Sequence, residues 1–282
     1  MIHFNTFSNA LGLSRPVGLE TGTIEAVGPS SVLQVNHVGK VYASRQGQTV
    51  AMSDCSMEID KNEFVCIIGP SGCGKSTLLR MLAGIDFPTS GQIFANGKLV
   101  KGPGADRGMV FQTYTLFPWM TVEENVKFGP KLRGYHSDVQ NTVAAEYLKA
   151  VGLEKFAKSY PKELSGGMKQ RVAIARALAN HPDVLLMDEP FGALDPQTKA
   201  AMQLLMREIW QVRHTTVVFV THDIEEAVFL ASKIYVMKAH PGTVKETLSV
   251  SLPEQRTLEL KDDREFIRIR RHVSNLIETQ FS

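Results

Sequence analysis

The chain has 282 residues, which fits one large domain or two small ones and makes a tandem multi-domain machine unexpected. Apolar residues are 43% and charged residues 21% of it, excluding disordered, collagen-like and coiled-coil classes and leaving a packed soluble core as the default. Lys and Arg number 31 against 29 Asp and Glu; a net charge of +2 makes no whole-surface field, so no nucleic-acid partner is expected. Apolar runs such as Phe64 to Ile68 fall far short of the roughly 20 residues that span a bilayer, so the chain is not expected to cross a membrane by itself. Cys55, Cys66 and Cys73 are an odd set without a CxxC pair, which favours a reducing compartment over disulfides or zinc. The first residues show no signal-peptide pattern.

In chain order, residues 1–31 carry turn formers and no sustained period, and are expected to be an extension of the fold. Val32 to Val35, Val38 to Tyr42 and Met52 to Ile59 alternate as strands, broken by a turn at Gln46-Gly47-Gln48, and predict an antiparallel start. The pattern then changes. Short apolar runs at Phe64 to Ile68, Met109 to Phe111, Val184 to Met187, Val217 to Val220 and Ile234 to Met237 alternate with longer helical periods, which predicts buried parallel strands joined by crossover helices. Asp138 to Val151 reads as a helix that packs Val139, Val143, Tyr147, Leu148 and Val151 and leaves Gln140 and Glu146 in water. Phe266, Ile269, Val273 and Leu276 beside Arg268, Arg270 and Arg271 predict a terminal amphipathic helix, packed on the chain's own body or on a partner.

The first chemical motif is Gly69-Pro70-Ser71-Gly72-Cys73-Gly74-Lys75-Ser76-Thr77, which leaves a strand and opens a helix. Its glycines let phosphate oxygens approach a row of backbone N–H groups at a helix start. Lys75 adds a positive charge for the β and γ phosphates, and the Ser76 hydroxyl suits Mg²⁺, which takes few protein ligands. Val184 to Met187 ends in Asp188-Glu189. Side chains alternate along a strand, so one acid is expected to serve the metal and the other an attacking water. Cys73 sits at a helix N-terminus that favours its thiolate; it is either a reactive thiol whose modification blocks binding at the phosphate loop or a small loop filler.

A third motif, Leu164-Ser165-Gly166-Gly167-Met168-Lys169-Gln170-Arg171, resembles the signature of the ABC-transporter ATPase family. The family's other marks follow in its order. They are an aromatic at Tyr42, a Q-loop glutamine at Gln112, a D-loop at Ala193-Leu194-Asp195 and a switch histidine at His222 in Thr221-His222-Asp223. The resemblance covers about Val32 to Lys238. It implies an α/β P-loop NTPase with a RecA-like parallel-sheet core, an antiparallel β subdomain and an α-helical subdomain at about 113–165, all within 32–246, followed by a tail at 247–282. It also implies a head-to-tail pair of ATPase subunits, with Ser165, Gly166 and Gly167 reading the nucleotide on the partner's phosphate loop and Asp195 at the same contact. Tyr42 would stack on adenine or simply pack, and Gln112 would touch the Mg²⁺ and water region or be a polar strand end. Glu189 would polarise the water, His222 hold the γ-phosphate, and Lys75 with Mg²⁺ stabilise developing charge.

Within that family the chain is most similar to the ATPases of nitrate, sulfonate and taurine importers. The similarity lies in Gly102-Pro103-Gly104-Ala105-Asp106-Arg107-Gly108, Phe117-Pro118-Trp119-Met120-Thr121-Val122, the run Leu186 to Asp195, and Pro241-Gly242. Phe117, Met120 and His240-Pro241-Gly242-Thr243-Val244 depart from the usual forms of those motifs. The likeness implies an ATPase bound peripherally to the cytoplasmic face of the inner membrane, beneath two permease subunits and served indirectly by a solute-binding protein. A different importer's ATPase, or a non-transport ABC ATPase, is the alternative. Against the latter stand the short connection from Lys75 to Asp188, the single phosphate loop and the missing CxxC pairs. Phe117 and Trp119 either belong to the core or line a groove for a permease helix.

Overall fold

The computed structural model describes residues 31–44, 47–213 and 215–278. The expected extension at 1–31 lies outside them except for Ser31, as does Gln46 of the expected turn. Two sheets organise the described residues. The first is antiparallel, in the order β2 (Gly47–Asp60), β1 (Ser31–Ser44), β4 (Ser90–Ala95), β5 (Lys98–Leu99). Sequence alternation suggested two short strands before Tyr42, but β1 is continuous. His37 adopts a left-handed backbone at φ 49° where the register shifts, so the break in pattern is a bulge inside one strand.

The second sheet runs β10 (Thr243–Ser249), β9 (Lys233–Lys238), β3 (Phe64–Ile68), β8 (Thr216–Thr221), β7 (Val184–Asp188), β6 (Arg107–Val110). β9 to β6 are parallel, and β10 returns antiparallel on β9. Every residue of β3, β7 and β8 is buried, as expected of strands covered on both faces. Phe64, Cys66, Ile68, Met187 and Phe219 point to one core, where α2 (Val122–Leu132), α3 (Ser137–Ala150), α4 (Gly166–Leu178), α5 (Pro196–Arg213), α6 (Ile224–Leu230) and α7 (Arg264–Glu278) contribute. Val65, Ile67, Leu186 and Val220 point to the other, shared with α1 (Lys75–Leu82) and the antiparallel sheet. This is the P-loop ATPase architecture of the sequence expectation. The limit placed at position 246 falls inside β10.

Two side chains of α3 differ from their helical reading. Val139, in the first turn of α3, is 42% exposed and lies off the buried face formed by Val143, Ala144, Tyr147 and Leu148. Glu146 is enclosed, with Arg213 Nη2 at the end of α5 3.9 Å from its carboxylate. α7 packs on the chain's own body: Phe266 and Val273 are fully buried in the core that also holds Phe229 of α6.

Candidate functional site

Four neighbouring parallel strands end at one edge of the large sheet, as their register shows. Ile68 pairs with Thr221, Asp188 with Val220, and Val110 with Met187. The loops that leave this edge carry Gly69 to Gly74, His222, Glu189 and Gln112. Crevices beyond the carboxyl ends of such strands are where α/β sheets take ligands.

The phosphate loop is fitted closely to its surroundings. A Cβ on Gly69 would stand 2.6 Å from the Met237 carbonyl oxygen. Gly72 and Gly74 hold φ of +80° and +91°, the region glycine enters at no steric cost. Gly74 caps α1 without any side-chain bond, so the backbone N–H groups at the start of α1 meet no capping side chain. Lys75 is 6% exposed and donates to the carbonyls of Gly69 (2.8 Å) and Pro70 (3.0 Å). The Ser76 hydroxyl donates to Asp188 Oδ1 at 2.8 Å, so the helix start and the end of β7 meet. Burial pushes the Asp188 carboxyl above the usual carboxylate range, opposed by the Ser76 bond.

Glu189 follows Asp188 with φ 42°, a left-handed backbone that costs a non-glycine residue about 1–3 kcal/mol. Its N–H donates to the Val220 carbonyl (2.9 Å), and its Oε2 lies 3.0 Å from His222 Nδ1. The strand thus ends in two acids aimed differently, one on Ser76 and one on His222. Of the two readings of Cys73, the structure favours the small loop filler over the reactive thiol. Cys73 is fully buried, and burial raises its thiol pKa despite Lys75 Nζ at 3.7 Å, so the helix-end argument for a thiolate fails.

Gln112 is exposed in the bend just past β6. Tyr42 is 41% exposed on the antiparallel sheet; its hydroxyl donates to Asp86 (3.0 Å) and Lys40 Nζ lies 5.0 Å from its ring centre. Ser165 is the N-cap of α4, accepting from the Met168 N–H at 3.3 Å, and stands exposed beside Gly166. A Cβ on Gly167 would meet Thr198 of α5 at 2.6 Å, so the signature turn abuts the Asp195 turn of the same chain. Asp195 is exposed, and its carboxylate accepts from the Thr198 N–H (3.0 Å); hydrogen bonds from the Thr198 side chain and then its N–H hold it below the usual range. Among the described residues no hydrogen bond joins Ser165 to the phosphate loop.

Several site neighbours escaped the sequence reading. Asp223 caps α6 by accepting from the Glu226 N–H at 3.1 Å, a D-x-x-E pattern that the sequence does carry. Lys199 pairs with Asp223 at 3.1 Å, and buried Glu226 accepts from Thr221 Oγ1 at 2.5 Å. Asn125, fully buried, binds the backbone of Phe117, Met120 and Thr121, which pins the Phe117-Pro118-Trp119 turn. Nothing in periodicity marks that asparagine. Trp119 is 70% exposed, so it is not core. Phe117 packs on Phe128 with ring centres 4.5 Å apart, at a groove of about 530 Å³ that Met109, Leu132, Arg133 and Arg176 also line.

A glycine-rich turn between a buried parallel strand and a helix, with an acid pair on a neighbouring strand, defines a P-loop nucleoside-triphosphatase. Residues 52–192 match the ABC transporter family, half of the chain. The chain belongs to the ABC transporter family. It is 51% identical to the nitrate import ATP-binding protein NrtD of Synechocystis sp. over 251 residues, 87% of this chain and 94% of that protein. It is 43% identical to the aliphatic sulfonates import ATP-binding protein SsuB of Bacillus cereus, over 87% of this chain and 96% of that protein. The dimeric post-hydrolysis state of the ATP-binding cassette MJ0796, bound to ADP and Pi, superposes with a TM-score of 0.69 at 35% identity, covering 78% of this chain and all of that one.

Proposed function

We propose that the chain is the ATP-hydrolysing subunit of an importer for a small solute such as nitrate, a sulfonate or taurine. It works as a head-to-tail pair on the cytoplasmic face of the inner membrane, under two permease subunits that a solute-binding protein supplies. The observation that carries this reading is the convergence of Lys75, Ser76, Asp188, Glu189 and His222 at one sheet edge, in a chain half identical to a nitrate import ATP-binding protein. No described helix is long and apolar enough to cross a membrane, so permease partners would supply the spans.

The donor set fits Mg²⁺: a hydroxyl and a buried carboxylate 2.8 Å apart are hard oxygen ligands, and Asp188 is an acid whose burial a cation would relieve. Ser76 and Asp188 would hold the ion, with Gln112 from the adjoining strand end. Bound there, Mg²⁺ would neutralise charge on the β and γ phosphates. The remaining work belongs to the chain. The N–H groups of Gly72 to Ser76 cradle the phosphates, and Lys75 exchanges its two loop carbonyls for phosphate oxygens. Glu189 takes the proton of the attacking water, and the strained turn after β7 aims its carboxylate at that task. His222 orients Glu189 and donates to the transferring phosphoryl group. Tyr42 stacks on the adenine, while Ser165, Gly166 and Gly167 close over the nucleotide of the opposite subunit, next to Asp195. The exposure of Ser165, Gly166 and Asp195, with Gly167 buried behind them against Thr198, supports that division.

The groove beside the Q-loop is the expected seat of a permease helix, lined by Phe117, whose ring centre lies 5.6 Å from that of exposed Trp119. The test is joint expression with candidate permease subunits. The chain should co-purify with them and drive ATP-dependent uptake in vesicles, and Trp119→Ala should lose both while keeping its Tm. Transport unchanged by Trp119→Ala would remove that residue from the coupling surface.

A further inference from the structure

We propose that the segment after β10 is a clamp that positions His222, with Arg256, Lys261 and Arg270 acting as positioning residues through α6. The proposal rests on the reading of His222 as part of the hydrolytic site.

α6 begins two residues after His222 and is only seven residues long. Helices shorter than about 12 residues do not hold themselves, so its position must come from neighbours. At its far end, Arg256 of the tail donates to the carbonyls of Val228 (3.1 Å), Phe229 (2.6 Å) and Ala231 (2.9 Å), and Arg207 of α5 donates to Leu230 (3.0 Å). The same two guanidiniums bind the tail backbone, Arg256 through Pro253 (3.1 Å) and Arg207 through Glu254 (2.6 Å). Both are buried, at 7% and 3% exposure. Two guanidiniums enclosed side by side are costly, and six carbonyl acceptors offset that cost only while tail and helix keep this geometry.

At the near end, Glu225 in the first turn of α6 is gripped from two points of the tail, by Lys261 at 2.8 Å and Arg270 at 3.6 Å. Lys261 Nζ also stands 5.3 Å from the ring centre of Phe229, and Phe266 and Val273 of α7 are buried in the same core. His222 and Glu225 form one wall of a cleft of about 480 Å³ whose other wall is Arg270, Arg271 and Ser274. Upstream of His222 lies Thr221, fixed in the sheet by its pairing with Ile68. A shift of α6 is therefore absorbed by His222 and Asp223 and alters the 3.0 Å contact of His222 with Glu189.

The test uses the full-length chain with Lys261→Ala and Arg270→Ala combined, both at partly exposed positions that leave the core intact. Expected is a fall in kcat of about tenfold, since misplacements near 1 Å cost that or more. Affinity for a non-hydrolysed ATP analogue should stay within about twofold. Backbone amides of Ala227 and Ala231 should exchange faster with solvent, and Lys261→Arg with Arg270→Lys should restore wild-type behaviour. The clamp is overturned by an unchanged kcat, or by a kcat loss matched by loss of analogue affinity. His222→Ala, measured alongside, should also be crippled; wild-type turnover there would overturn the reading of the site itself, a failure recognised without reference to the tail.

Discussion

Replacing Gly69 with alanine tests how tightly the phosphate loop is fitted to the sheet. The added Cβ would stand 2.6 Å from the Met237 carbonyl oxygen and 2.9 Å from Cys73 Sγ. Met237 lies in β9, which pairs with β3 through Ile68 and Val236, so its carbonyl cannot withdraw without parting two central strands. The loop must move instead. Overpacking of this kind costs about 1–3 kcal/mol. The ligand-free loop relieves the strain by shifting, whereas ATP requires the original loop. At 1.4 kcal/mol per tenfold, ATP affinity should then weaken by roughly 5- to 150-fold. Gly72→Ala serves as the comparison: its φ of +80° carries a left-handed penalty, but no atom lies within 4 Å of the new Cβ. Titration with a fluorescent ATP analogue, checked by the rise in Tm on adding ATP, measures both variants. Gly69→Ala binding within about twofold of the wild type would refute the steric argument.

Other expectations follow from burial at the same edge. The Cys73 thiol should resist iodoacetamide in the native chain at mildly alkaline pH and react once urea unfolds it; native labelling at the rate of a free thiol would contradict its enclosure. Burial holds the Glu226 carboxyl above the usual range, outweighing its bond from Thr221. The native chain therefore keeps that proton longer than the unfolded chain, and stability declines as pH rises from the ordinary glutamate value through the raised one. Glu226→Gln lacks this term, so its Tm should gain on the wild type across that pH window, and a difference that stayed constant would count against the buried charge.

Much of the core was legible because it obeys simple periods. β3, β7 and β8 are short apolar runs bounded by turn residues, and their burial on two faces forces the parallel arrangement that puts residues 69, 189 and 222 at one edge. The glycine-rich turn is legible for a steric reason, since glycine enters the φ values found at Gly72 and Gly74 at no steric cost. What the sequence did not disclose depends on contacts between distant segments. Asn125 staples a turn by four hydrogen bonds, yet reads as an ordinary polar residue of α2. Glu146 sits at a helical position expected to be wet, and Arg213 from the end of α5 encloses it. Cys73 looked activated from its helix-end position alone, but loop and sheet enclose its sulfur, so desolvation exceeds the pull of Lys75. Arg256 lies in the part of the tail ahead of its amphipathic stretch, and only the fold shows that it caps α6.

The account stands on Glu189 as the base that activates water, and turnover of the Glu189→Gln chain measures this most directly. The variant should bind ATP and dimerise in its presence on size-exclusion chromatography, while steady-state hydrolysis falls by about 10²-fold or more. Hydrolysis at the wild-type rate by that chain would contradict the account.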